Sequence, residues 1–169
     1  MDWHRLHNGI VRLCRIGTGL GFAVLIVAVL VQVVGRSIVH SSPPWTEELT
    51  RYSMLWMIAF GAGLSLRSGD LVNVDIVCEA LPGRMPWLLR LASALVTAGL
   101  CGALLYPAWF FTSIGVRQTS PVLGWRMDFI HASILALLAL LLVFALMRAL
   151  SMLSGRGDGL AGHMEADPS

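Results

Sequence analysis

An uncharged run of twenty residues lies between Arg15 and Arg36 and reads IGTGLGFAVLIVAVLVQVVG (residues 16–35). At about 1.5 Å per residue, a helix of this length spans about 30 Å, the thickness of the hydrocarbon core of a bilayer. Arg5, Arg12 and Arg15 could serve as the basic start of a signal peptide. The run is longer than a typical signal-peptide core, however, and no Ala-x-Ala cleavage site follows it. The sequence therefore predicts a retained transmembrane helix.

The composition of the whole chain points to the same class of protein. Hydrophobic residues make up 56% of the 169 residues and charged residues 13%, whereas a soluble domain has about 25% charged residues. All twelve basic residues are arginines, and they are scattered at the ends of apolar runs. This distribution predicts an all-α membrane protein in contact with the lipid bilayer, and it argues against nucleic acid as a partner.

Three further uncharged runs predict three more helices. The run between Arg51 and Arg67 is too short to cross a bilayer alone, so we expect its helix to begin near Trp45, after the helix-breaking pair Pro43-Pro44. The third run contains Pro107, which should kink its helix. We predict four membrane spans, at about 16–36, 46–66, 87–111 and 129–150.

The remaining segments are too polar to cross. Between the second and third spans, apolar residues alternate with Asn73, Asp75 and Glu79, which predicts a short interfacial amphipathic segment lying on the membrane. The Gly-rich end is expected to be disordered. The predicted organisation is one four-helix transmembrane domain, residues 1–153, followed by a disordered cytoplasmic tail, residues 154–169.

The arginines also predict the orientation. With four spans, eight arginines fall on the side of the two termini and four on the other side. Because arginine-rich loops stay in the cytoplasm, both termini of this multi-pass membrane protein are expected there. The terminal side holds Arg5, Arg12, Arg15, Arg67, Arg84, Arg90, Arg148 and Arg156, and the other side Arg36, Arg51, Arg117 and Arg126.

The start of the second helix carries the strongest polar cluster. Glu47 and Glu48 precede Arg51 by four and three residues, so both carboxylates can meet the guanidinium on one helix face. Acidic groups in a first turn also interact favourably with the helix dipole. Two interpretations stay open: a helix start solvated by water and headgroups, or a functional cluster that faces a protein partner or a water-filled path. The candidate subunit-contact or structural residues are Trp45, Glu47, Glu48, Arg51 and Asp75.

No combination of residues predicts catalysis, a cofactor or a metal site. Cys14, Cys78 and Cys101 form no Cys-x-x-Cys pair, so they are expected to fill space. A membrane haem needs two facing histidines, and only His131 touches a predicted span. Small residues at four-residue spacing, such as Gly17 and Gly21, indicate close helix packing, either inside this chain or against another subunit. The expected protein is not an enzyme.

Three stretches of the sequence stand out: WTEELTRY (residues 45–52) continuing to Gly61-Ala62, LRSGDLVNVD (residues 66–75) followed by Leu81-Pro82, and QTSPVLGW (residues 118–125). Together they resemble a known family, the small membrane subunit (DctQ type) of tripartite ATP-independent periplasmic (TRAP) transporters. The resemblance covers roughly residues 10–150. The chain departs from the family at Asp70, where a histidine is common, and before the fourth helix, where a proline is common.

The resemblance implies a small scaffold subunit of a secondary transporter of the bacterial inner (plasma) membrane that imports an organic acid with sodium. Its implied partners are a large membrane subunit of the twelve-helix type and a periplasmic substrate-binding protein. Two alternatives from other classes are a small proton-coupled exporter and a structural subunit of a membrane enzyme complex. The exporter would need an ionisable group in the middle of a span, and the enzyme complex would need paired His or Cys ligands.

Overall fold

The computed structural model describes residues 3–41, 43–68 and 85–154. Within these ranges the chain is helical, and the β-structure is limited to a single antiparallel bridge between Thr119 and Arg126. The elements are α1 (Trp3–Val34), a π-helical turn (Gly35–Val39), α2 (Pro44–Ser68), α3 (Met85–Gly115) and α4 (Met127–Leu153).

The ends of α1 and α2 follow from local backbone chemistry. After the π-helical turn, His40 adopts a left-handed conformation with φ 55°, which stops the helix. α2 begins at Pro44, where the fixed φ of proline suits a first helical position and its missing N–H leaves no donor unpaired. In α3, Pro107 lies inside the helix, and the kink expected there stays a prediction.

The helices form an open row rather than a closed bundle. α1 packs on α2, α2 also packs on α4, and α4 also packs on α3. Within the described ranges α1 does not pack on α3 or α4, so α1 and α3 lie at the two ends of the row. A hydrophobic cluster connects the four helices, with Val11, Cys14, Leu66, Ala98, Phe144 and Ala145 as its buried members.

Small residues permit the close contacts along this row. A Cβ on Gly17 would lie 2.6 Å from the ring of Phe60, and a Cβ on Gly21 would lie 3.2 Å from Met57. The predicted Gly17-x-x-x-Gly21 pair therefore packs against α2 of the same chain. On α3, by contrast, a Cβ on Gly102 would meet nothing within 4 Å.

Within the described residues, three helices are long and apolar enough to cross a membrane: Asn8–Ile38, Met85–Gly115 and Met127–Leu153. α2 has 25 residues, but its composition is less apolar, and it is not among these three. The predicted interfacial segment with Asp75, the cysteine Cys78 and the tail beyond Ser154 lie outside the described residues.

Candidate functional site

The first turn of α2 is built from buried polar groups. The hydroxyl of Thr46 donates to the carbonyl oxygen of Pro43 at 2.7 Å, and its backbone N–H donates to the same oxygen at 3.1 Å. Thr46 is completely buried. One turn later, the hydroxyl of Thr50 donates to the carbonyl oxygen of Thr46 at 2.8 Å. These bonds anchor the helix start and set the direction of the side chains that follow.

The loop between α3 and α4 is a compact turn held by its own backbone. The N–H of Ser120 donates to the carbonyl oxygen of Trp125 at 2.7 Å, and the N–H of Met127 donates to that of Gln118 at 2.9 Å. Gly124 has φ +66°, a conformation that is easy for glycine and costly for most other residues. The loop therefore has a defined shape before any partner contacts it.

Glu48 joins these two regions. Its carboxylate accepts hydrogen bonds from the hydroxyl of Ser120, from the N–H of Val122 at 3.3 Å and from the N–H of Leu123 at 3.0 Å. Glu48 is 8% exposed and Ser120 3% exposed. We call Glu48, Ser120, Val122 and Leu123 together the Glu48 clasp. It connects the start of α2 to a loop more than seventy residues further along the chain.

The chemistry of the clasp suits an ionised carboxylate and gives it a structural role. Three donors converge on Glu48, and hydrogen bonds to a charged acceptor are stronger than those between neutral groups. The negative charge also lies near the N-terminal end of α2, in the turn that follows Glu47. Because all three donors belong to the α3–α4 loop, the carboxylate holds that loop against α2.

Aromatic side chains pack between the helices next to the clasp. The ring centroid of Trp56 lies 5.2 Å from that of Phe129 and 5.6 Å from that of Phe60. The ring centroid of His131 lies 4.0 Å from that of Phe111. The Nε1 of Trp56 and the Nδ1 of His131 are buried and have no hydrogen-bond partner within the described part of the chain. These ring contacts join α2 to α4 and α3 to α4.

The other predicted site residues have different surroundings. Trp45 is 39% exposed, and the side chains of Glu47 and Arg51 are also exposed. Neither glutamate forms a salt bridge with Arg51 within the described ranges, although the spacing allowed both pairs. Glu48 lies against the α3–α4 loop instead, and Asp75 is outside the described residues. Contacts of these residues with other subunits stay a prediction.

Sequence reasoning missed the partners of Glu48, which are Ser120, Val122 and Leu123. The two stretches 45–52 and 118–125 were singled out separately, and their contact was not expected. Two signals could have suggested it. In the predicted four-span topology both stretches lie at the same end of the chain's helices, and a buried acidic group needs donors of the kind that an irregular loop with free N–H groups supplies.

Comparison with known proteins identifies the family of the chain. Residues 25–155, more than half of the chain, match the model of a family described as "Tripartite ATP-independent periplasmic transporters, DctQ component". A protein of Haemophilus influenzae, named as a TRAP transporter small permease protein, is 24% identical over 102 residues. That alignment covers 60% of this chain and 63% of the relative, so the chain spans less than two thirds of the relative's length. The chain belongs to the DctQ family of TRAP transporter components and is a multi-pass protein of the inner membrane.

Proposed function

We propose that this chain is the small scaffold subunit of a TRAP-type secondary transporter that imports an organic acid together with sodium. The observation that carries the proposal is the family match over residues 25–155. In this proposal a large membrane subunit of the twelve-helix type transports the substrate, and a periplasmic binding protein delivers it. The open row of helices supports a scaffold role, because a row leaves two apolar faces for lipid and for a larger partner.

Four spans with both termini in the cytoplasm form the second part of the proposal. α2 has 25 residues and would extend about 37 Å, which is longer than the hydrocarbon core of about 30 Å. It also lies between α1 and α4, which are apolar enough to cross. A helix packed between two spanning neighbours has its sides covered by protein, so it can cross with a less apolar composition.

Reporter fusions test the orientation. We expect a fusion after Arg36 to report a periplasmic location and a fusion after Arg84 to report a cytoplasmic one, because eight of twelve arginines are then inside. A cytoplasmic signal at Arg36 or a periplasmic signal at Arg84 would overturn the four-span topology.

Co-purification and uptake assays test the subunit role. The tagged chain should co-purify in mild detergent with a larger membrane subunit, and vesicles containing the chain alone should not accumulate substrate. Uptake by the chain alone would contradict the scaffold role.

The role of Arg51 in this complex can be tested by itself. Its side chain is exposed and forms no ion pair within the described residues, so it is free to meet a partner at the outer end of α2. Arg51→Ala should reduce assembly or uptake more than Arg156→Ala in the tail. Wild-type uptake by Arg51→Ala at equal membrane levels would leave Arg51 as a solvated residue of the helix start.

A further inference from the structure

A groove lies at the N-terminal end of α4, beside the α3–α4 loop. Its volume is about 490 Å³, and it is lined by Trp125, Arg126, Asp128 and Phe129. The two aromatic side chains are 46% and 58% exposed. None of these four side chains takes part in the Glu48 clasp, so the groove is a separate surface feature.

The groove carries one positive and one negative group side by side. The Nη2 of Arg126 donates to the Oδ2 of Asp128 at 2.7 Å. A guanidinium has five N–H donors, and this is the one hydrogen bond of the Arg126 side chain within the described ranges. The side chain of Arg126 is 61% exposed and that of Asp128 25% exposed. Both groups therefore keep capacity for a ligand.

The position of the groove along α4 places it at the level of the lipid headgroups. α4 has 27 residues and is about 40 Å long, so its ends extend beyond a hydrocarbon core of about 30 Å. Arg126 precedes the helix and Asp128 is its second residue. This argument holds for either orientation of the chain, and it needs only that α4 crosses the membrane.

We propose that the groove binds the headgroup of a zwitterionic phospholipid with a primary ammonium group, that is, phosphatidylethanolamine. The lipid phosphate accepts hydrogen bonds from Arg126, and its ammonium group donates to Asp128. Trp125 and Phe129 pack against the glycerol and the upper part of the acyl chains, as aromatic residues do at membrane interfaces.

The charge pattern favours this lipid over the other common classes. An anionic headgroup such as that of phosphatidylglycerol matches Arg126 but brings no cation to Asp128. The quaternary ammonium of phosphatidylcholine has no N–H to donate. A soluble ligand would not need two exposed aromatic side chains at the edge of the bilayer.

Native mass spectrometry of the purified full chain, with each of the three lipids added in turn, tests the proposal. Phosphatidylethanolamine should be retained best. Arg126→Gln and Asp128→Asn should each lower its affinity about fivefold, the expected effect of losing one partly exposed charge pair. Asp128→Glu, which keeps the carboxylate, should retain most of the binding. Arg117→Gln is the matched control, since Arg117 is an exposed arginine of the same loop that does not line the groove.

Three outcomes would overturn the proposal. Equal retention of the three lipids would mean general solvation of the surface. Equal binding of phosphatidylglycerol that depends on Arg126 alone would mean an anionic-lipid site. Loss of binding in Arg117→Gln as well would mean that overall charge, not the groove, attracts the lipid. Size-exclusion chromatography and circular dichroism of each variant confirm that the fold is intact before binding is compared.

Discussion

α1 and α2 are neighbours in the row, yet they differ in composition and in surroundings. α1 is one of the three helices apolar enough to cross a membrane, and 6% of its most apolar stretch is buried within the chain. α2 is less apolar, packs on both α1 and α4, and buries the polar residues Thr46, Glu48 and Ser53. The helix that looks more like a membrane span is thus the one with fewer protein contacts.

The difference has a simple physical origin. A helix at the edge of the row faces lipid on most sides, so its side chains must be apolar. A helix between two others meets protein, and there a polar group is tolerated when hydrogen bonds satisfy it. Buried polar groups therefore indicate contact with the rest of the chain. Apolar composition alone does not distinguish an edge helix from an inner one, because α4 packs on both α2 and α3 and is still the most apolar of the three candidate spans within the described residues. The predictions below test this contrast, from the largest expected effect to the smallest.

The largest effect is expected for Glu48→Leu, which makes α2 more apolar and removes the clasp. The buried hydroxyl of Ser120 and the partly buried N–H groups of Val122 and Leu123 would lose their acceptor, and a donor left unpaired away from water is costly. The melting temperature of the purified chain should fall more than in any other variant below. Glu47→Leu is the control, because Glu47 is exposed on the same helix turn.

If Glu48→Leu were as stable as the wild type, apolar composition alone would govern the stability of α2 and the contrast would fail. Protease digestion provides a second readout. Cleavage in the α3–α4 loop should become faster in Glu48→Leu and stay unchanged in Glu47→Leu, since Glu48 is the one of these two glutamates that binds the loop.

The next largest loss of stability is expected at the interface between α1 and α2. In Gly17→Ala the new methyl group would lie 2.6–2.9 Å from three ring atoms of Phe60, so the two helices must separate or the ring must move. Overpacking of this kind costs about 1–3 kcal/mol. Gly19→Ala on the same helix is the control, because its Cβ meets nothing within 4 Å. Reversible unfolding in mixed micelles should show a lower stability for Gly17→Ala than for Gly19→Ala. Equal stabilities would show that the interface between α1 and α2 has room for the added methyl group.

The sequence predicted the helices well because their signal is local. Uncharged runs bounded by charged residues located α1, α3 and α4, and the pair Pro43-Pro44 located the start of α2 within one or two residues. These features depend on residues that are adjacent in the chain, so no knowledge of the tertiary structure was needed.

The clasp could not be predicted, because it depends on how α2 is rotated about its own axis. Glu47 and Glu48 differ by about 100° around the helix, and one is exposed while the other is buried. Both belong to the same polar stretch, so the pattern does not say which of them faces the protein. Spacing suggested pairs with Arg51, but the donors of the distant α3–α4 loop bind Glu48 instead.

A smaller loss of stability is expected at the interface between α2 and α4. In Gly63→Ala the new Cβ would lie 3.1 Å from Phe144 and 3.4 Å from the Cβ of Leu140, so these neighbours must give way slightly. We expect a loss of about 1 kcal/mol, at the low end of overpacking costs. Gly61→Ala, whose Cβ would meet Thr18 at an ordinary 3.9 Å, should be neutral or slightly stabilising through helix propensity. The same unfolding assay compares the two variants. A Gly63→Ala variant more stable than the wild type would show that the interface between α2 and α4 has room for the added methyl group.

The smallest effect is expected for Leu20→Ala on α1. Leu20 is 62% exposed, and in a bilayer its side chain meets lipid tails before and after the helices separate, so removing it should change stability by less than about 0.5 kcal/mol. Val11→Ala removes a smaller group from the same helix, but Val11 is 7% exposed and belongs to the hydrophobic cluster, so about 1 kcal/mol should be lost. Val11→Ala should thus lower the free energy of unfolding more than Leu20→Ala, although it removes the smaller group. Both variants can be compared by unfolding in bicelles. A larger loss at Leu20 would mean that this face of α1 is covered by protein, as it would be against a second copy of the chain, and α1 would then no longer contrast with α2.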